Sequence, residues 1–147
     1  MARRGLGALE RIAGWFESAR KSGAKILCGG NVNGRCMDAT IIEKPDRNLD
    51  VRAKEAFAPI VTLHSYGTFD EALKFVNDSI FGLQAGVFTC DIGRAMRAFE
   101  RLDVGGVLIN NVPTFRADNM PYGGVKDSGF GREGVRFAME EMTELKS

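Results

Sequence analysis

A carboxylate and an aromatic ring stand two residues apart in residues 54–59, which read Lys-Glu-Ala-Phe-Ala-Pro. The carboxylate of Glu55 can accept hydrogen bonds from two neighbouring hydroxyls, and the face of Phe57 can pack against a sugar ring. Pro59 would stiffen the turn that carries them, because its ring fixes φ. On the residue types alone, a solvated glutamate and a core phenylalanine are the preferred interpretation, so a sugar-binding role needs further support.

Arg116 lies in a long segment, 110–134, that is rich in glycine and also carries apolar side chains. Connections of this length in compact domains are usually functional or disordered, and apolar side chains disfavour disorder. We therefore expect an ordered loop laid over a cleft. Within it, the guanidinium of Arg116 could hold a carboxylate or phosphate through two parallel hydrogen bonds. A solvent-exposed arginine without a ligand explains the sequence about as well.

The remaining reactive residue types form no catalytic or metal-binding pattern. Cys90 is the best nucleophile candidate, because it precedes a predicted helix whose N-terminus would lower a thiol pKa. Burial or simple surface exposure is nevertheless the preferred interpretation for Cys90, Cys28 and Cys36. These three cysteines and the single histidine, His64, also lack the spacing of zinc ligands. Residues 129–134, Gly-Phe-Gly-Arg-Glu-Gly, match a dinucleotide-binding pattern of glycines without its preceding strand or following acidic residue. Residues 129–134 therefore predict a turn at the start of a helix. His64 is expected to be a structural residue.

Hydrophobic periodicity predicts alternating helices and strands. Apolar residues recur at helical spacing from residues 6, 69 and 91, and a last helix is predicted over 132–144. Thr68 and Glu71 have the spacing of a capping box, which marks the start of the second helix. The polar segment 48–52 is expected to be a turn leading into a short extended piece. Apolar and β-branched runs predict strands, and these runs are 24–28, 39–43, 60–66, 84–89 and 107–109.

From residue 60 onward the predicted order is strand, helix, strand, helix, strand. This order predicts an α/β fold with a parallel βαβαβ sheet in three layers, joined by right-handed crossovers. Ligands of open α/β sheets bind beyond the carboxyl ends of the strands. Asn110 and Asn111 follow such an end, so the long segment begins where a site is expected.

The composition limits the class of protein. The chain has 147 residues, of which 44% are hydrophobic and 27% charged, as expected for one globular domain over 1–147. A net charge of +1 with scattered basic residues favours neither nucleic acid nor an anionic membrane as a partner. No run spans a bilayer, and the N-terminus lacks the pattern of a signal peptide. An odd cysteine count without a disulfide framework predicts the reducing cytoplasm.

Several separated blocks resemble the NAD(P)-dependent aldehyde dehydrogenases. Residues 120–134, Met-Pro-Tyr-Gly-Gly-Val-Lys-Asp-Ser-Gly-Phe-Gly-Arg-Glu-Gly, are similar to the C-terminal signature of that family. Residues 54–59 resemble its Glu-x-Phe-Gly-Pro block, with Ala58 where many members have glycine. Blocks at 86–89 and 106–110 follow the family's order. The resemblance covers nearly the whole chain and implies the later part of the aldehyde dehydrogenase catalytic domain.

The resemblance also implies roles for four residues. In the family, the glutamate matched by Glu55 hydrogen-bonds the ribose hydroxyls of the nicotinamide half of NAD or NADP, and the phenylalanine matched by Phe57 packs against the same part. Phe115 and Arg116 fall in the substrate-entry loop, where the ring could line an aldehyde tunnel or merely pack the loop. The family's nucleophilic cysteine and general-base glutamate precede the matched segment, so no catalytic residue is expected here.

Three interpretations remain open. In the first, the chain is the C-terminal segment of an aldehyde dehydrogenase, without the nucleotide-binding domain and the nucleophile segment, and is inactive alone. In the second, it is an inactive assembly or binding module that pairs with a separate chain. In the third, an existing cysteine serves a minimal enzyme. Expected partners are a second copy or the missing first part of the enzyme, because a sheet without its preceding elements exposes edges and apolar faces.

Overall fold

The computed structural model describes residues 2, 3, 6–144 and 146. Contacts divide the chain into two compact units, Met1–Ser65 and Tyr66–Ser147, which we call the first and second units. The sequence predicts a single domain. Both units combine helices with a pair of parallel strands, so the mixed α/β class is confirmed.

The first unit contains helices and two small sheets. In one sheet the order is β1-β4-β3, with antiparallel pairing throughout. In the other, β5 is central, with β2 antiparallel and β6 parallel to it. The elements are β1 (Ala2–Arg3), α1 (Leu6–Lys21), β2 (Lys25–Cys28), β3 (Val32–Asn33), β4 (Cys36–Met37), β5 (Thr40–Glu43), α2 (Asp50–Ala53) and β6 (Ile60–Leu63).

The core of the first unit is built on α1. Its apolar residues recur every three or four positions, so they lie on one face of the helix. Phe16 and Ile12 on that face are almost completely buried, as the periodicity predicts. Met37 and Ile42 from the strands meet this face. The buried cluster consists of Leu9, Ile12, Trp15, Phe16, Ala19, Met37, Ile42 and Val51.

Residues 48–52 differ from the prediction. Instead of an extended piece, Asp50–Ala53 form the short helix α2. The amide of Leu49 donates to the carbonyl of Asp46 at 3.2 Å, and Leu49 in turn accepts from the last residue of α2 at 2.9 Å. Val51 is buried and secures the turn. A single buried apolar residue in a polar segment creates no periodicity, so the pattern could not reveal this helix.

The second unit is built around a parallel βαβ step. β8 and β9 pair in parallel, with Gln84 opposite Gly106 and Val87 opposite Ile109, and α4 connects them. β7 and β10 form a separate antiparallel pair. The elements are α3 (Phe69–Asn77), β7 (Phe81–Gly82), β8 (Gln84–Val87), α4 (Ile92–Arg101), β9 (Gly106–Ile109), β10 (Val125–Lys126) and α5 (Val135–Glu141).

The described strands do not form the predicted continuous βαβαβ sheet. β6 is hydrogen-bonded to β5, whereas β8 is hydrogen-bonded to β9. The last βαβ step is therefore confirmed, whereas the continuous three-layer sheet is not confirmed. The apolar run that becomes β6 marks a strand but does not specify its partner, because pairing depends on residues distant in sequence.

Side-chain caps mark the first residues of α3 and α4. The hydroxyl of Thr68 accepts from the amide of Glu71 at 3.2 Å, while the Glu71 carboxylate accepts from the amide of Gly67 at 2.7 Å. The capping box is confirmed, although the glutamate reaches one residue further back than the usual pattern. At α4, the Asp91 carboxylate accepts from the second and third amides of that helix, which belong to Gly93 and Arg94.

The second unit buries few side chains. Leu73, Ala98 and Leu102 form its buried cluster. On α4, by contrast, three large apolar side chains at helical spacing are exposed, and α5 has no buried residue. We call these side chains the uncovered residues, and they are Ile92, Met96 and Phe99 of α4 with Val135 and Met139 of α5.

No helix in the described part of the chain is long and apolar enough to cross a membrane.

Candidate functional site

The segment 54–59 follows α2 and is anchored by its alternate residues. The chain becomes extended at Lys54, with φ −117° and ψ 155°. The guanidinium of Arg11 donates to the carbonyl of Ala56 at 3.2 Å, and the carbonyl of Ala58 accepts a hydrogen bond at 2.8 Å from the first amide of β6. Ala56 and Ala58 also pack against the core of the first unit. These contacts fix the path of the segment while leaving the residues that alternate with them exposed.

Glu55 and Phe57 are those exposed residues. The Phe57 ring is 64% exposed, so the interpretation as a core phenylalanine was wrong. Its backbone has φ of 48°, a region that is costly for a residue with a bulky side chain. In the described part of the chain, no hydrogen bond or ion pair engages the Glu55 carboxylate. An exposed ring at a strained position, two residues from an available carboxylate, suits contact with a ligand.

In the second unit, the guanidinium of Arg116 contacts two side chains of the long loop. Its Nη2 lies 2.9 Å from Oε2 of Glu133, and its Cζ lies 4.6 Å from the centre of the Tyr122 ring. Tyr122 and Glu133 are themselves joined by backbone hydrogen bonds in both directions, of 3.1 and 2.6 Å. The side chain of Arg116 is about half exposed, so it holds the loop together and still faces solvent.

Phe115 lies beside Arg116 and is also about half exposed. Its amide donates to the carbonyl of Val112 at 3.1 Å, which closes a turn. Its carbonyl accepts from the side-chain amide of Gln84, the first residue of β8, at 3.4 Å. The backbone of this part of the loop is therefore tied to the sheet, and the ring remains accessible.

Asn110 joins the carboxyl ends of β8 and β9, where the sequence predicts a site. Its side chain accepts from the amide of Thr89 at 2.8 Å and donates to the Thr89 carbonyl at 3.0 Å. Its own amide donates to the carbonyl of Val87 at 2.8 Å. With both side-chain groups engaged and φ at 55°, Asn110 fixes the start of the long loop.

Three polar residues of the glycine-rich block anchor the loop, and the sequence analysis missed all of them. Lys126 donates from Nζ to two backbone carbonyls at the end of α3, at 2.9 and 3.1 Å. The Ser128 hydroxyl accepts from the amide of Gly82 at 2.9 Å, and Arg132 donates from Nη1 to the carbonyl of Gly124 at 3.0 Å. The first two join residues more than 40 positions apart, so the sequence could mark the segment but not these anchoring contacts.

The cysteines are free, and the geometry removes the reason for favouring Cys90. The first amides of α4 are already occupied by the carboxylate of Asp91, so this helix end is not open to a thiolate. For His64, burial and then the nearby charge of Arg52 lower the pKa below its usual value of 6.5. The residues described include no cluster of three or more histidine, cysteine or acidic side chains able to hold a metal ion.

Comparisons with known proteins place the chain. A profile of the aldehyde dehydrogenase family matches residues 6–147. Aspartate-semialdehyde dehydrogenase 1 of Pseudomonas canavaninivorans is 48% identical over 128 residues, which are 87% of this chain and 27% of that protein.

Two solved structures are also similar. Aldehyde dehydrogenase 21 from Physcomitrella patens, in complex with the reaction product succinate, gives a TM-score of 0.90 at 44% identity, covering 94% of this chain and 29% of that one. Glyceraldehyde-3-phosphate dehydrogenase GapN from Methanocaldococcus jannaschii, complexed with NADP, gives a TM-score of 0.88 at 38% identity. The match covers 97% of this chain and 31% of that one. The chain thus spans less than a third of the length of these relatives. Because the family profile matches nearly all of its residues, the chain belongs to the aldehyde dehydrogenase family.

Proposed function

We propose that this chain is the later part of the catalytic domain of an NAD(P)-dependent aldehyde dehydrogenase, with both units belonging to that one domain. The order of the blocks at 54–59, 86–89, 106–110 and 120–134 supports this placement. An enzyme of this kind oxidises an aldehyde to a carboxylic acid. The chain supplies no catalytic residue, so it is inactive alone and works when joined to the first part of the enzyme. Its three free cysteines are consistent with a reducing cytoplasm.

In this proposal Glu55 and Phe57 hold the nicotinamide ribose of NAD or NADP. The observation that carries it is the pair itself, an available carboxylate and an exposed ring at positive φ, presented by a segment whose alternate residues are anchored. The carboxylate can accept from both ribose hydroxyls, and the ring can pack against the same half of the cofactor. Bound NAD(P)+ would supply the acceptor for the hydride, while the chain's own residues fix its position.

The test is a fusion of this chain to the first part of a related dehydrogenase. Glu55→Gln should raise KM for the cofactor by roughly 5- to 10-fold, because it replaces a charged acceptor worth about 1.5–3 kcal/mol with a neutral one worth about 0.5–1.5 kcal/mol. Glu10→Gln is the matched control, since Glu10 is an exposed residue of α1 in the same unit. If both substitutions leave KM unchanged, the assignment of Glu55 is wrong.

For the substrate we propose an aldehyde that carries a carboxylate or phosphate, held by Arg116 with Phe115 lining its path. The half-exposed guanidinium in the loop supports this. So do the similar proteins that act on aspartate semialdehyde or are bound to succinate. In the fusion, Arg116→Ala should raise KM for anionic aldehydes and leave neutral ones nearly unchanged. An equal rise in KM for anionic and neutral aldehydes would show that Arg116 supports the loop and does not recognise the charge of the substrate.

The second candidate is an inactive assembly module that pairs with a separate chain. It is favoured by the face of α4 that exposes Ile92, Met96 and Phe99, because soluble monomers rarely expose several large apolar groups on one face. The proposed occupant of that surface is the first part of a dehydrogenase of this family, since the relatives are more than three times as long as the region matched. Binding of that first part without NADH or NADPH formation would favour this candidate.

A further inference from the structure

Glu133 contacts the residue proposed to recognise the substrate. Its carboxylate lies 2.9 Å from the guanidinium of Arg116, and the two side chains form an ion pair. A carboxylate of the chain thus occupies the guanidinium that an anionic aldehyde would use. The side chain of Glu133 is 64% exposed, so water and solutes reach the pair.

The ion pair can open at little cost. Ion pairs between exposed side chains contribute little to stability, because water screens them and holding two long side chains costs entropy. The backbone of Glu133 does not depend on the pair, since its amide and carbonyl are bonded to Tyr122. The Glu133 side chain can therefore turn away while the loop keeps its course.

Arg116 keeps a second contact when the pair opens. Its guanidinium lies over the Tyr122 ring at 4.6 Å, within the range of a cation–π interaction. That contact can keep the guanidinium beside the ring after the Glu133 side chain has moved away. Because the guanidinium carries one positive charge and can hold one carboxylate or phosphate, an incoming anion competes with Glu133 for it.

We propose that Glu133 is a specificity-determining residue, whose carboxylate occupies Arg116 in the free enzyme and is displaced by the carboxylate or phosphate of an anionic aldehyde. This inference rests on the proposed substrate class. A neutral aldehyde cannot displace Glu133, so it enters with the pair closed. Glu133 thereby weakens the binding of anionic substrates and of their dicarboxylate products.

The test measures substrate and product binding in the fusion enzyme. Glu133→Gln removes the competing charge but keeps the size of the side chain. It should lower KM for an anionic aldehyde about two- to fivefold, the effect expected for an exposed ion pair, and leave KM for a neutral aldehyde unchanged. Calorimetric titration with succinate should show tighter binding by the same factor, which gives a readout that needs no turnover.

Glu140→Gln is the matched control, because Glu140 forms an exposed ion pair with Arg136 at 2.8 Å on α5. This variant should alter neither measurement. An unchanged or weaker affinity for succinate in Glu133→Gln would overturn the inference, as would an equal change for neutral and anionic aldehydes. Succinate binding that survives Arg116→Ala unchanged would also overturn it. An inactive fusion, or one indifferent to Glu55→Gln, would contradict the proposed function instead.

Discussion

The two units differ in how far each closes its own core. In the first, α1 covers the strands, and large side chains such as Phe16 and Met37 are buried. In the second, the buried cluster is small, and large apolar side chains of α4 and α5 remain exposed. Both units are matched by one family profile. The difference teaches that the apolar positions of the second unit are suited to contacts outside it.

The largest expected effect is a difference in stability between substitutions of two phenylalanines, one in each unit. Phe16 is 1% exposed and Phe99 is 68% exposed. Phe16→Ala should destabilise the first unit by about 3–5 kcal/mol, because it leaves a cavity in a closed core. Phe99→Ala should change the free energy of unfolding by no more than about 0.5 kcal/mol. Urea unfolding followed by circular dichroism measures both. Similar losses for the two variants would show that the second unit is as closed as the first.

A pair of glycines sharpens the comparison within the backbone. A Cβ on Gly105 would collide with the carbonyl oxygen of Gly123, whereas nothing lies within 4 Å of one on Gly14 of α1. Gly105→Ala should therefore cost about 1–3 kcal/mol, and Gly14→Ala should stabilise α1 by about 0.5–1 kcal/mol. Thermal unfolding gives both signs. A neutral Gly105→Ala would mean that the loop and β9 do not pack closely.

The uncovered residues should make the chain associate with itself when it is alone. Sedimentation velocity at several concentrations is expected to show oligomers, because association removes exposed apolar side chains from water. Replacing Met96 and Phe99 with glutamine should shift the population toward monomer. Glu100→Gln on the same helix is the control and should leave association unchanged. A chain that is monomeric throughout this range would contradict the expectation.

The smallest expected effect is a pH dependence confined to the first unit. Burial and the charge of Arg52 lower the pKa of His64 below 6.5. Between that lowered value and 6.5, the unfolded chain binds more protons than the folded one, so the stability rises with pH. The contribution of His64 to stability is complete above pH 6.5 and is lost as the pH falls from 6.5 toward the lowered pKa.

His64→Gln should reduce the slope of unfolding free energy between about pH 7.5 and pH 5.5. Since His64 is the only histidine, no other imidazole contributes to that slope. Circular dichroism at each pH, with denaturant, is sufficient. An equal slope in the variant and the parent would show that the environment of His64 does not favour the neutral imidazole.

Local signals predicted the elements well and their pairing poorly. The periodicity of α1 and α4 and the cap at Thr68 mark helices that form where expected. The partner of β6, which is β5, could not be predicted, because pairing is decided by distant residues. The short helix α2 was missed because Val51 alone buries an apolar side chain there.

For the candidate site, the residue types indicated chemistry but not geometry. Glu55 and Phe57 could be named because a carboxylate and a ring suit a sugar. Their exposure depends on the anchoring of Ala56 and Ala58, which no pattern encodes. Likewise, Arg116 was visible as a charge, whereas its ion pair with Glu133 depends on the path of the loop between them. Contacts of this kind follow from tertiary structure.

The most direct test of the account is the rate of methionine oxidation in the isolated chain and in the active fusion. Met96 and Met139 are more than half exposed, whereas Met37 is 0% exposed. Peroxide treatment followed by mass spectrometry should show fast oxidation of the first two in the isolated chain and protection in the fusion. Met37 should react slowly in both. If Met96 and Met139 stay equally reactive in an active fusion, these helices do not contact the first part of the enzyme.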